Sequence, residues 1–84
     1  MENIERNNRR MDYFEWAEEY YENARRVLSV IEKKKLLLKE SKKLTADRRK
    51  ELNDDIIRYR RIYYELNRIG DTLRSRAEGA VREA

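Results

Sequence analysis

Apolar residues recur at alternating intervals of three and four positions along two stretches of this chain. The first apolar series lies between residues 13 and 42 and is interrupted once, by Lys35. Its members are Phe14, Ala17, Tyr21, Ala24, Leu28, Ile31 and Leu38. After residue 45 the series consists of Leu52, Ile56, Tyr59, Tyr63, Leu66, Gly70, Leu73, Ala77 and Ala80. Because this spacing places every member on one face of a helix, it predicts two amphipathic α-helices.

Residues that commonly cap helices indicate where these two helices begin and end. Asp12 and Thr45 are suitable N-caps, since their side-chain oxygens can accept hydrogen bonds from the first free backbone N–H groups. Gly79 suits the position just after a helix C-terminus. The predicted helices are about 12–43 and 46–78. The preceding segment, MENIERNNRR, has no apolar series, and we expect residues 1–11 to form a flexible arm.

A short polar link between two long helices makes them antiparallel neighbours, so the predicted fold is an all-α helical hairpin. Folding at the link pairs positions whose numbers add up to about 90, and large residues then face small ones. These pairs are Phe14 with Ala77, Ala17 with Leu73, Tyr21 with Gly70, and Ala24 with Leu66, while Lys35 faces Asp55. Room for the Tyr21 ring would explain a glycine in mid-helix. The alternative is that Gly70 breaks the second helix and a third, short helix follows.

The first helix carries a second apolar series beside the first one, interrupted by Asn23 and Lys34. Its members are Tyr13, Trp16, Tyr20, Val27, Val30 and Leu37. The second helix widens in the same way through Ile62 and Ile69. Together the two series cover more of the helix circumference than one neighbouring helix can bury. The second series therefore predicts an interface, either in a homodimer that forms a four-helix bundle or with a different protein.

Composition supports the helical class and argues against catalysis. Ala, Glu, Lys, Leu and Arg make up 47 of 84 residues, and the chain has no Pro and only 2 Gly. It contains no His and no Cys, which removes the commonest general base and the commonest metal ligands. We therefore expect no enzymatic activity, no cofactor and no metal site. The cluster of Glu15, Glu18, Glu19 and Glu22 is interpreted as a solvated acidic face.

Positive charge is concentrated around the link between the helices. Residues 33–50 contain nine basic and two acidic side chains, whereas residues 1–32 contain five basic and eight acidic ones. The basic residues that would contact nucleic-acid phosphates are Lys39, Lys42, Lys43, Arg48, Arg49 and Lys50. The other interpretation is a solvated tip that aids solubility, because no aromatic residue is interleaved for base stacking.

The chain has no run of 18 apolar residues and no segment typical of a secretion signal. Its lack of Cys fits a reducing compartment. We therefore expect a cytoplasmic protein that does not enter a membrane.

Most of the chain resembles small uncharacterised helical proteins of phages and prophages of Gram-positive bacteria. Two segments carry this resemblance, MDYFEWAEEYYENARRV and LTADRRKELNDDIIRYRRIYYELNRIGDTL. The resemblance implies a mobile-element protein that acts by binding, such as a regulator, an assembly factor or an inhibitor of host defence.

The function predicted from the sequence is thus that of a non-enzymatic helical protein-binding module. The alternative is a nucleic-acid-binding regulator that uses the basic link region.

Overall fold

The protein folds into two packed helices. The structure is a computed structural model that describes the backbone of residues 12–83 and the side chains up to residue 79. Helix α1 spans Tyr13–Glu40 and helix α2 spans Ala46–Glu83. The short link 41–45 returns the chain, so the helices run antiparallel in a rod about 58 Å long. The predicted helical hairpin is confirmed, whereas the predicted arm at residues 1–11 lies outside the described residues.

Both helices begin where their capping residues predict. The Asp12 carboxylate accepts hydrogen bonds from the backbone N–H groups of Phe14, at 3.0 Å, and Glu15, at 3.2 Å. In α2 the Thr45 hydroxyl accepts from the N–H of Arg48 at 3.1 Å. These bonds satisfy N–H groups that have no partner within their own helix, which stabilises each start by about 1 kcal/mol.

The C-terminal ends differ from the prediction. Helix α1 stops at Glu40, because Ser41 turns to an extended conformation while its N–H still donates to the Leu37 carbonyl. Helix α2 passes Gly79 and continues to Glu83. A glycine cap requires a left-handed backbone, and neither glycine of the described chain has a positive φ angle. Gly79 is therefore an ordinary helical residue, and the predicted end at residue 78 is wrong.

The core is a single row of side chains along the contact between α1 and α2. Its members all come from the predicted apolar series; they are Ala17, Ala24, Ile31, Leu52, Ile56, Leu73 and Ala77. The alanines of α1 let the two backbones approach closely, and the larger residues of α2 fill the space that this leaves. A row this thin leaves much apolar surface outside the core.

The predicted pairing of Tyr21 with Gly70 is confirmed, and α2 runs through Gly70 without a break. The Tyr21 ring lies so close that a Cβ atom added to Gly70 would meet Tyr21 Cε1 at 2.7 Å. The Tyr21 hydroxyl donates a hydrogen bond to Asp71 Oδ1 at 2.5 Å. This bond raises the pKa of Tyr21 above its ordinary value, because an ionised phenolate could not donate to the carboxylate.

Two details of the predicted register are wrong. Phe14 remains 44% exposed and Leu28 37% exposed, so neither is part of the core. Lys34, and not Lys35, bonds Asp55 at 3.2 Å and lies 5.8 Å from the centre of the Tyr59 ring. The reason is helix geometry: at about 100° per residue, Lys34 and Lys35 lie on opposite flanks of the contact line, and Asp55 lies on the flank of α2 that Lys34 faces.

Candidate interaction surfaces

Two polar contacts identify which flanks of the helices lie on the same side of the hairpin. At about 100° per residue, Tyr21 and Lys34 lie on opposite flanks of the Ala24 contact line of α1. Tyr21 bonds Asp71 and Lys34 bonds Asp55, and these two carboxylates likewise lie on opposite flanks of α2. The hairpin therefore has one broad face marked by Lys34 and another marked by Tyr21.

The face marked by Lys34 carries an apolar strip, interrupted on α1 by Asn23 and Lys34, which we call the Trp16 face. Its residues are Trp16, Tyr20, Val27, Val30 and Leu37 from α1, and Ile62, Leu66 and Ile69 from α2. Three of them are well exposed, Val30 at 37%, Leu37 at 46% and Ile62 at 41%. The others are half-buried. An apolar strip of this kind, built from both helices, is typical of a protein-binding surface.

The six interface residues predicted from the second series fall into two groups. Val30 and Leu37 are exposed, as a free surface requires. Tyr13, Trp16, Tyr20 and Val27 are half-buried, so each contributes to the hairpin and still presents an edge to solvent. The rings of Tyr13 and Trp16 stack with centroids 6.2 Å apart and an interplanar angle of 19°. Leu66 joins this strip, although its position in the α2 series predicts a core residue.

The opposite face has a shallow groove that neither apolar series predicts. It is lined by Lys35, Leu38, Lys39, Asn53, Ile56, Ile57 and Arg60. Ile57 is 55% exposed beside it, and on the same helix Tyr64 is 66% exposed with its ring edge-on to Tyr63. The adjacent residues Ile56 and Ile57 indicate this groove in the sequence, because neighbouring helical residues point in different directions. Ile56 enters the core, so Ile57 remains exposed.

The six basic residues of the link region have different roles. Arg48 pairs with Glu51 at 2.5 Å and Lys50 pairs with Asp54 at 3.1 Å, both on the surface of α2. Lys39, Lys42 and Lys43 are exposed, with no carboxylate at ion-pair distance in the part of the chain that the structure describes. Arg49, in contrast, is half-buried.

The Arg49 guanidinium points back to the end of α1. Its Nη1 donates to the Leu38 carbonyl at 3.4 Å and its Nη2 donates to the Ser41 carbonyl at 3.2 Å. Carbonyl groups in the last turn of a helix have no partner in the helix and carry partial negative charge. Arg49 thus caps the end of α1: its guanidinium supplies the hydrogen-bond donors that backbone N–H groups would supply if the helix continued.

The acidic cluster of α1 faces solvent. Glu15, Glu18, Glu19 and Glu22 are all exposed. Glu22 pairs with Arg25 at 2.6 Å, and the hydrogen bond and charge of this guanidinium lower the pKa of Glu22. Among the described residues, no group of His, Cys, Asp or Glu side chains has an arrangement that could hold a metal ion.

Comparisons with protein families, with curated proteins and with solved structures found no match to this chain. Within residues 12–83, neither helix is long and apolar enough to cross a membrane.

Proposed function

We propose that the protein is a non-enzymatic binding module that holds another polypeptide against its Trp16 face. The observation that carries the proposal is the apolar strip shared by both helices, on which Val30, Leu37 and Ile62 are 37 to 46% exposed. Leaving such a strip in water is costly, at about 25 cal/mol per Å² of apolar surface. Covering it with a partner would recover this free energy.

The aromatic residues at the open end of the hairpin suit this role. Trp16 and Tyr20 are half-buried, so the hairpin holds part of each ring in place before any partner arrives. A side chain that is already ordered loses little conformational entropy on binding, and Trp and Tyr are enriched among the residues that dominate binding energy. A binding role also agrees with the lack of His and Cys in the sequence.

The resemblance to phage and prophage proteins favours a mobile-element origin for this module. A regulator, an assembly factor and an inhibitor of host defence each act by holding another protein, so the Trp16 face would serve any of them. Within this proposal the protein works in the cytoplasm of the host cell.

The proposal is tested with two variants of equal starting exposure. Val30 lies on the Trp16 face and Leu28 on the opposite flank of the same helix, and each is 37% exposed. Val30→Glu should weaken retention of a partner from extracts of producing cells by at least about tenfold, which is 1.4 kcal/mol, whereas Leu28→Glu should retain it. Retained proteins are identified by mass spectrometry, and circular dichroism checks that both variants stay helical. Retention of the same proteins by both variants would contradict the proposal.

A second candidate function is nucleic-acid binding through Lys39, Lys42 and Lys43. The observation that favours it is that these three cations share one tip of the rod and lack carboxylate partners among the described residues. Three phosphate contacts predict a slope of about −2.7 when the logarithm of the affinity for duplex DNA is plotted against that of salt concentration. Lys42→Ala with Lys43→Ala should reduce the slope by about 1.8. No binding to DNA or RNA at low salt would rule this candidate out.

A further inference from the structure

We propose that the Trp16 face is covered by a second copy of this chain, packed antiparallel, with α1 on α1 and α2 on α2 of the partner subunit. The two-fold axis crosses the rods between residues 28 and 29 of α1 and near Ile62 of α2. The inference rests on the proposed function, because it uses the same face, and it specifies the occupant and its orientation.

The charge distribution distinguishes the two possible orientations. Residues 12–32 carry six acidic and two basic side chains, whereas residues 33–50 carry nine basic and two acidic ones. An antiparallel dimer places the acidic half of each α1 beside the basic half of the other. A parallel dimer brings the two basic tips together at contact distance, which is within the screening length of about 8 Å at physiological salt. The charges therefore favour the antiparallel arrangement.

The order of polar and apolar positions on α1 leads to the same arrangement. The Trp16 face of α1 is a second heptad pattern, in which Tyr20, Val27 and Lys34 alternate with Trp16, Asn23, Val30 and Leu37. In an antiparallel helix pair, a member of one set faces a member of the other. Pairing positions whose numbers add up to 57 makes Tyr20 face Leu37 of the partner subunit, Val27 face Val30 of the partner subunit, and Asn23 face Lys34 of the partner subunit.

Between residues 20 and 37 this register keeps like with like, while Trp16 lies level with Ser41 of the partner subunit, just past the end of α1. A shift of one heptad in one direction places Val27 on Asn23 of the partner subunit, and a shift in the other direction places Val30 on Lys34 of the partner subunit. Either shift buries a polar group against an apolar one, which costs free energy. A parallel pair in register would instead place Lys34 on Lys34 of the partner subunit, two like charges at one level.

Helix α2 supplies independent support for the position of the axis. The contacts Tyr21–Gly70 and Lys34–Asp55 show that neighbouring levels of the two helices have numbers that add up to 91 and 89. The level between residues 28 and 29 of α1 therefore corresponds to residues 61 and 62 of α2. Ile62 stands there, 41% exposed, beside a shallow groove that Arg61, Glu65 and Leu66 complete. The axis brings Ile62 against its own copy.

The same axis also matches charges along α2. Arg58 and Glu65 lie on the same flank of α2 as Ile62, and both are exposed. Rotation about the axis places Arg58 opposite Glu65 of the partner subunit, and the pair occurs twice by symmetry. Complementary charges on either side of a central apolar contact fix the register of such an interface.

The chain contains no cysteine, so introduced cysteines report the orientation directly. In the antiparallel dimer the two copies of position 20 lie 17 positions apart along the helix axis, about 25 Å, and the same holds for position 37. A disulfide needs Cα atoms within about 7 Å. Tyr20→Cys alone and Leu37→Cys alone should therefore stay uncrosslinked under mild oxidation, whereas a mixture of the two should form a covalent heterodimer.

The outcomes separate this inference from the proposed function. Crosslinking of either single variant with itself at high yield would show a parallel dimer and overturn the antiparallel one. A wild-type chain that stays monomeric at high micromolar concentration in sedimentation equilibrium would overturn the second copy as occupant, while binding of another protein remains tested by Val30→Glu.

The dimer should also weaken as salt rises, because opposite charges are paired; a dimer strengthened by salt would contradict the arrangement. Circular dichroism checks that each cysteine variant is helical, and Val27→Cys mixed with Val30→Cys supplies a second pair for the same register.

Discussion

Replacing Ala24 by glutamate should abolish cooperative unfolding of the hairpin. Ala24 is 1% exposed, in the middle of the contact between α1 and α2. A carboxylate forced into this position either loses its hydration, at a cost of several kcal/mol, or pushes the helices apart. A small single core rarely supplies more than about 3–5 kcal/mol of stability, so a loss of this size removes the folded state.

The measurement is thermal unfolding followed by circular dichroism, with Ser29→Glu as the matched control. Ser29 lies on the same helix and is exposed, so the same substitution there should leave the midpoint within a few degrees of wild type. A cooperative transition in Ala24→Glu near the wild-type midpoint would mean that α1 and α2 do not pack along this line.

Gly70→Ala should destabilise the protein by about 1–3 kcal/mol, although alanine is the better helix former by about 1 kcal/mol. The added Cβ would lie 2.7 Å from Tyr21 Cε1, closer than a Cβ atom approaches its neighbours in folded proteins, and 3.0 Å from Tyr21 Cδ1, which is a tight contact. The ring cannot move aside freely, because its hydroxyl is bonded to Asp71. Gly70→Leu should cost more, since a larger side chain meets the same ring.

Gly79→Ala is the control within the same helix. A Cβ added there has no atom within 4 Å, so the better helix propensity should act alone and stabilise the protein by up to about 1 kcal/mol. In a Tyr21→Ala background, Gly70→Ala should behave like Gly79→Ala. Urea unfolding gives the free energies, and a Gly70→Ala chain as stable as Gly79→Ala would disprove the contact with Tyr21.

The sequence predicts most of this fold because its signals are local. Asp12 and Thr45 define helix starts by their own side chains, and the series of apolar residues defines the contact line. The pairing of Tyr21 with Gly70 is predictable because glycine destabilises the middle of a helix, and space for a large neighbouring ring offsets that cost. The pairing of Asp55 with Lys34 and not with Lys35 is less predictable, since it depends on which flank of the contact line Asp55 occupies on α2.

The candidate surfaces are predicted less completely. The second apolar series identifies the Trp16 face, but how far α2 covers Trp16 and Tyr20 depends on how closely two backbones approach. The groove beside Ile57 joins residues from both helices, and only the register brings them together. Arg49 shows most clearly what the sequence does not predict. The surrounding basic residues predict that it contacts phosphate, whereas the direction of its side chain depends on where the carbonyls of Leu38 and Ser41 lie after the chain has turned.

Those Arg49 hydrogen bonds also bear on domain swapping. Two hairpins can exchange helices if the link 41–45 straightens and joins α1 to α2 in one long helix. In that helix the carbonyls of Leu38 and Ser41 would accept bonds from N–H groups four residues further on, and Arg49, about 12 Å along the axis from Ser41, would lose both acceptors. Thr45 would likewise give up its role as N-cap. The Arg49 and Thr45 hydrogen bonds are thus made only while the link is closed, and they favour the arrangement in which each α1 packs on its own α2.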